Sequence, residues 1–153
     1  MDWFPQLLAT VLIVGGVAFL FRRRSDERAR NAPLTAEIRA HVCFETSLYR
    51  ASVLGTGGFG QFRGQSIPVR GPKRLTVGTD AFVVSAPQAL REFVFRGRES
   101  SIGFSQLPSR LVDADWIVIT GQHRGRQVQI AIMCPNLPEA WQALAATGAV
   151  LAL

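Results

Sequence analysis

The sequence predicts one transmembrane α-helix followed by a mainly-β domain of about seven antiparallel strands with a C-terminal capping helix. Three observations carry this prediction. An uncharged apolar run fills residues 3–21, short alternating apolar and polar segments recur from residue 37 onward, and one amphipathic helical pattern lies at about residues 137–147. A chain of 153 residues has room for one domain and an appendage.

The apolar run at the start of the chain is long enough to cross a membrane. As a helix, residues 3–21 would extend about 28 Å, close to the thickness of a hydrocarbon core. Arg22, Arg23 and Arg24 follow directly, whereas a secretory signal would carry its basic residues before the run and a small-x-small cleavage pattern after it. We therefore expect an uncleaved anchor at residues 1–21, with the N-terminus outside and the rest in the cytoplasm. Trp3 and the three arginines would lie at the membrane interfaces.

Residues 22–36 are polar and rich in arginine, which predicts a juxtamembrane linker that contacts the lipid bilayer. Asn31-Ala32-Pro33 is expected to break any helix that continues from the anchor. The domain would then occupy residues 37–153.

Period-two patterning predicts the strands of this domain. From Glu37, the apolar residues Ile38, Ala40, Val42 and Phe44 alternate with polar ones, which is typical of a half-buried strand. The glycines of residues 55–60 resemble a kinase phosphate loop, but no kinase catalytic motif accompanies them, and we interpret them as turn residues. Further strands are predicted at residues 48–54, 61–69 (on an edge, because of Pro68), 74–77, 81–85, 92–96, 99–104, 116–120 and 126–133.

The predicted capping helix begins after Asn136, with Pro138 in its first turn, and ends near Gly148. Its apolar stripe includes Trp141 and Leu144. The tail at residues 149–153 is apolar, and we expect it either to fold back on the domain or to dock on a partner.

The order of these elements resembles bacterial pleckstrin-homology-like (PH/GRAM-type) domains over residues 54–148. The matching pieces are RLTVGTDAFVV, EFVFRGRESSIGF, WIVITGQHRGRQVQIAIM and PEAWQALAATG. The resemblance implies a small barrel of about seven strands in which Trp141 packs into the barrel mouth as a structural cap. An anchor before such a domain is similar to small proteins of the bacterial inner membrane.

Basic residues give a candidate anion site. Residues 46–79 contain no acid, and the resemblance implies that cations early in the domain, among them Arg63, Arg70, Lys73 and Arg74, could hold an anion or a lipid headgroup. A solvated basic face is the alternative. Exposed aromatic residues do not alternate with these cations, so we expect no nucleic-acid partner.

Catalytic chemistry finds little support in the sequence. His41 and Cys43 are two residues apart on a predicted strand, but no orienting acid beyond Glu45 accompanies them. The cysteines and histidines lack the spacings of zinc sites, so no metal and no cofactor are expected. The chain is therefore predicted to be a non-catalytic scaffold or accessory subunit that binds a membrane protein. The alternatives are a headgroup-sensing module and, less favoured, a small membrane-tethered enzyme.

Overall fold

The computed structural model describes residues 3–56, 67–86, 91–105, 115–123 and 125–152. The chain divides into two compact units, Met1–Pro33 and Leu34–Leu153. The second unit holds two β-sheets and a C-terminal helix, so the predicted mainly-β domain with a closing helix is confirmed.

The first helix, α1 (Trp3–Ala40), contains the apolar segment Pro5–Arg23, which is long and apolar enough to cross a membrane. Apolar side chains are exposed on every side of this segment, whereas a core helix of a soluble protein would bury one face. These side chains are Leu7, Leu8, Val11, Leu12, Ile13, Val14, Val17, Phe19, Leu20 and Phe21.

The predicted break at Asn31-Ala32-Pro33 and the predicted strand from Glu37 are both wrong, because α1 continues through Pro33 to Ala40. Past the proline, Leu34, Thr35 and Ile38 have helical spacing and line one face. Ile38 is 2% exposed, and it packs in an apolar cluster with Leu34, Ala81, Val83 and Val94. Burial of that face offsets the hydrogen bond that Pro33 removes from the helix.

The first sheet has four antiparallel strands in the order β1-β4-β5-β6. The end of α1 lies against one of its faces, where Gly78 leaves room, because a Cβ there would come within 3.3 Å of the Ile38 Cα atom. The strands are β1 (Phe44–Leu48), β4 (Lys73–Val77), β5 (Ala81–Ala86) and β6 (Arg91–Arg96).

The second sheet has the order β10-β7-β8-β9-β2-β3 and is antiparallel except for the β10–β7 pair. The bounds of β9 agree with those predicted from its alternating valine and isoleucines. Of the strand expected at residues 61–69, only the two residues of β3 are in a described strand. The strands are β2 (Arg50–Thr56), β3 (Ile67–Pro68), β7 (Ser100–Ser105), β8 (Trp116–His123), β9 (Arg126–Met133) and β10 (Val150–Ala152).

The main core is built from both sheets and from the second helix, α2 (Leu137–Ala146). Phe82 and Phe95 of the first sheet stack with ring centroids 5.4 Å apart. Asn136 precedes α2 without a side-chain capping hydrogen bond, and Gly148 follows it with φ 86°, a left-handed conformation that favours glycine. The other large, fully buried side chains are Leu75, Val77, Ile102, Ile117, Ile119, Ile130, Ile132 and Leu144.

Candidate functional site

Three of the four predicted anion-binding residues lie between β3 and β4 or at the start of β4. Arg70 is exposed in the turn, and Lys73 (half-buried) and Arg74 (exposed) begin β4. Gly71 allows the turn because its φ of 83° favours glycine. The fourth residue, Arg63, lies outside the described residues.

Arg74 forms an ion pair with a carboxylate of its own chain. Its Nη1 atom donates to the Glu45 Oε1 atom at 2.9 Å, and the Thr76 hydroxyl donates to the same oxygen at 3.3 Å. The β1–β4 register explains this arrangement, since Glu45 lies opposite Thr76 and two residues from Ser47, the residue opposite Arg74. Glu45, which directly precedes the acid-free residues 46–79, thus neutralises Arg74, one of the predicted anion-binding cations.

The four residues predicted to lie at the membrane interfaces are all on α1, where Arg22 and Arg23 are exposed and Trp3 and Arg24 belong to the helical backbone. The three arginines therefore end the apolar segment without ending the helix. A charged cluster on a continuing helix is compatible with the positive-inside prediction.

Trp141 has a neighbour that the sequence did not indicate. Its ring is half-buried against the main core and stacks on Phe104 of β7, with centroids 4.0 Å apart and planes inclined by 18°. Phe104 remains 54% exposed. The two rings form an aromatic pair at the surface, supported beneath by the core, and the cap role of Trp141 stays a prediction.

The apolar tail folds back as an edge strand. Val150, Leu151 and Ala152 of β10 pair in parallel with Ser101, Ile102 and Gly103 of β7. Val150 is 61% exposed and Leu151 is 49% exposed, and β10 is the last of the described strands at its end of the sheet. The Phe104–Trp141 pair and β10 together form a surface that we call the C-terminal edge.

The C-terminal edge is continuous on one face of the sheet. Because side chains alternate along a strand and match across a parallel pair, Leu151, Ile102 and Phe104 point to the same face. Ile102 is fully buried in the core on which α2 packs. Leu151 and Phe104 extend this apolar face from the core to the surface.

The nucleophilic and basic side chains do not converge. Cys43 is exposed, and its Sγ atom lies 3.7 Å from the His41 carbonyl oxygen rather than from the imidazole. His123 is buried between Phe93 and Phe95, with ring centroids 5.5 and 6.3 Å away. In the described ranges, no three histidine, cysteine or acidic residues lie close enough together to hold a metal ion.

Cys134 is a buried thiol beside the start of α2. Burial raises its pKa above the ordinary value, and the nearby charge of Glu139 acts in the same direction, while a hydrogen bond with the Asn136 backbone opposes them. A neutral, desolvated thiol is a packing residue rather than a nucleophile.

No protein-family model matches this chain, and no curated protein is significantly similar to it. Sequence reasoning missed Phe104 and the edge position of β10, although the apolar character of residues 149–153 was a signal for the latter.

Proposed function

We propose that this chain is a single-pass protein of the bacterial inner membrane whose second unit, a PH-like barrel, binds another protein. Its N-terminus would lie outside and the β domain in the cytoplasm. Binding would take place at the C-terminal edge, and the chain would act as a scaffold or accessory subunit of a membrane complex.

The helix composition supports the anchor. Pro5–Arg23 exposes apolar side chains all round, and lipid is the environment in which that surface is stable. Arg22, Arg23 and Arg24 at its C-terminal end favour a cytoplasmic location for the β domain.

The strand order supports the PH-like barrel. β1 and β2 are separated by Tyr49 alone, so they can be counted as one bent strand that takes part in both sheets. β3 and β4 are likewise connected by residues 69–72 alone, and they can be counted as a second bent strand. Counted as β1–β2, β3–β4, β5, β6, β7, β8 and β9, the described residues form seven strands before α2, and the seventh pairs with the first. The PH/GRAM-type family, which the sequence resembles, has this order of seven strands followed by a helix.

The exposed C-terminal edge is the observation that carries the binding proposal. Natural proteins protect the terminal strand of a sheet with charges, proline or bulges, yet β10 has no charged residue or proline and exposes Val150 and Leu151. No described strand pairs with the side of β10 that is remote from β7. An extended segment of a partner could pair with that side and place apolar side chains against the Phe104–Trp141 pair. A protein partner fits this surface because a headgroup offers neither a pairing backbone nor apolar side chains.

Co-purification with matched variants tests the proposal. The tagged full chain is extracted in mild detergent, and the proteins that accompany it are quantified by mass spectrometry. Leu151→Lys places a charge on the edge, and Gln127→Lys makes a matched change at an exposed position of β9. We expect one membrane protein at a fixed ratio with wild type and Gln127→Lys, and its loss with Leu151→Lys. Equal recovery with both variants, or no stoichiometric partner, contradicts the proposal.

Labelling tests the orientation separately. Ser25 is exposed on α1 just beyond the arginines. In a Cys43→Ser background, a membrane-impermeant maleimide should not modify Ser25→Cys in intact cells and should modify it after the cells are opened. Labelling from outside would reverse the proposed topology.

A further inference from the structure

Residues 34–40 of α1, which we call the clasp, pack on the face of the first sheet that is opposite the main core. The alternation along β5 separates the two faces, because Phe82 and Val84 point into the main core and Val83 points to the clasp. A small apolar cluster, distinct from the main core, holds the clasp in place. Its members are Leu34, Ile38, Ala81, Val83 and Val94.

The polar contacts of the clasp are weak. The Arg39 Nη2 atom lies 3.8 Å from the Glu92 Oε1 atom, and the Arg39 side chain is 69% exposed. An exposed ion pair of this length contributes little to stability. Pro33, directly before the clasp, has no amide hydrogen to donate to the Ala29 carbonyl, so one α-helical hydrogen bond is missing there. The boundary between the two compact units also falls at this point, between Pro33 and Leu34.

Thr35 buries a hydroxyl group under the clasp without a partner. The residue is 5% exposed, and no described residue forms a hydrogen bond with its Oγ1 atom. Thr10 of the same helix shows the usual arrangement, since its hydroxyl donates to the Gln6 carbonyl, four residues earlier, at 2.8 Å. A hydroxyl that gives up its hydrogen bond to water and gains none opposes burial. Thr35 therefore favours release of the clasp, whereas Ile38, which is 2% exposed, favours docking.

We propose that the clasp opens reversibly from the first sheet while the strands of both sheets remain folded, and that the Thr35 hydroxyl raises the population of the open state. Opening lets this hydroxyl bond to water, so the cost of its burial is recovered. It also uncovers Val83 and Val94, which gives the first sheet a second state with an accessible apolar face. Proteins open locally in units that have few buried apolar contacts, and the clasp has this character.

Thiol labelling of the full chain in mild detergent tests the proposal. Val83→Cys is made in a Cys43→Ser background, so that a thiol under the clasp is compared with the natural Cys134 thiol in the main core. Native protein is treated with N-ethylmaleimide, and mass spectrometry gives the labelling rate at each position. Each rate is divided by the rate of the same thiol in urea-denatured protein, which gives the open fraction. Melting curves verify folding, and Val94→Cys, also under the clasp, is used if Val83→Cys is unfolded.

We expect the open fraction at position 83 to exceed that at Cys134 by more than about tenfold, because the clasp opens without the main core. Thr35→Val removes the hydroxyl, keeps the shape of the side chain, and should lower the open fraction at position 83 about tenfold. Thr35→Ser keeps the hydroxyl and should not lower it.

Two results overturn the proposal. Equal open fractions at position 83 and Cys134 would show that the clasp is released only when the whole domain unfolds. Unchanged labelling at position 83 in the Thr35→Val variant would show that the buried hydroxyl does not promote opening.

Discussion

Gly97 lies so close to the end of α2 that a side chain at this position would overlap Thr147. A Cβ built on Gly97 would collide with the carbonyl oxygen and with the hydroxyl of Thr147. The Gly97 amide donates to the Asp80 carbonyl at 2.8 Å, and the Thr147 hydroxyl donates to the Leu144 carbonyl at 2.6 Å. The end of α2 therefore lies directly against the turn between β6 and β7, with no space for a side chain at Gly97.

Gly97→Ala should destabilise the second unit by roughly 1–3 kcal/mol, because the added methyl group has no space. Thermal or urea unfolding of the full chain in detergent measures the change. Gly16→Ala is the control, since a Cβ at Gly16 meets nothing within 4 Å. A Gly97→Ala variant as stable as this control would mean that the helix end is not packed as described.

Ile38→Ala should cost about 2–4 kcal/mol of unfolding free energy, because Ile38 is buried against Val83 and Val94. Glu37→Ala changes an exposed residue on the same turn of α1 and should alter stability by less than about 0.5 kcal/mol. Similar small effects from both variants would show that the end of α1 is not part of the domain core.

The β domain could be predicted from sequence more fully than the helix that enters it. Val128, Ile130 and Ile132 alternate strictly, and β9 has the predicted bounds. Ile38 and Val42 fit a strand period, but Leu34 and Ile38 also fit a helical one, and burial against the sheet decides in favour of the helix. The rule that proline ends a helix predicted a break at Pro33. That rule considers only the local sequence, so it cannot include the tertiary packing of the residues that follow.

The candidate sites depend on register, which local patterns do not specify. Arg74 is paired with Glu45 through the alignment of β1 with β4. Phe104 meets Trp141 only when α2 packs beside β7. The residue types were visible in the sequence, but Glu45 lies 29 residues from Arg74 and Phe104 lies 37 residues from Trp141 along the chain.

The Phe104–Trp141 stack should be measurable as a coupling energy. Single alanine variants should each destabilise the domain, Trp141→Ala by roughly 1–3 kcal/mol because its ring is only half-buried. A double-mutant cycle should give a coupling of about 0.5–1.5 kcal/mol. Strictly additive effects would contradict direct stacking.

The two cysteines should differ in reactivity. Iodoacetamide near pH 7.5 should modify Cys43, which is exposed, and spare Cys134, which is buried and has a raised pKa. Mass spectrometry of the native and the denatured protein measures both sites. Rapid native modification of Cys134 would contradict its burial.

The raised pKa of Cys134 also predicts a pH dependence. Folding favours the neutral form of the Cys134 thiol. The neutral thiol therefore contributes fully to the stability of the fold below the thiol pKa of the unfolded chain, about 8.5, and this contribution is lost as the pH rises above that pKa. The thiol pKa sets the relevant range at about pH 8 to pH 10. Over this range, the free energy of unfolding should fall more for wild type than for Cys134→Ala. Parallel pH profiles would show that the thiol is not desolvated.

Photo-crosslinking in intact cells tests whether the C-terminal edge binds a protein. A photoreactive amino acid is placed at Leu151 on the C-terminal edge or at Gln127 on β9, both exposed. We expect one discrete crosslinked membrane protein at position 151 and none at position 127. No crosslink at position 151, or the same products from both positions, would contradict a protein-binding role for the C-terminal edge.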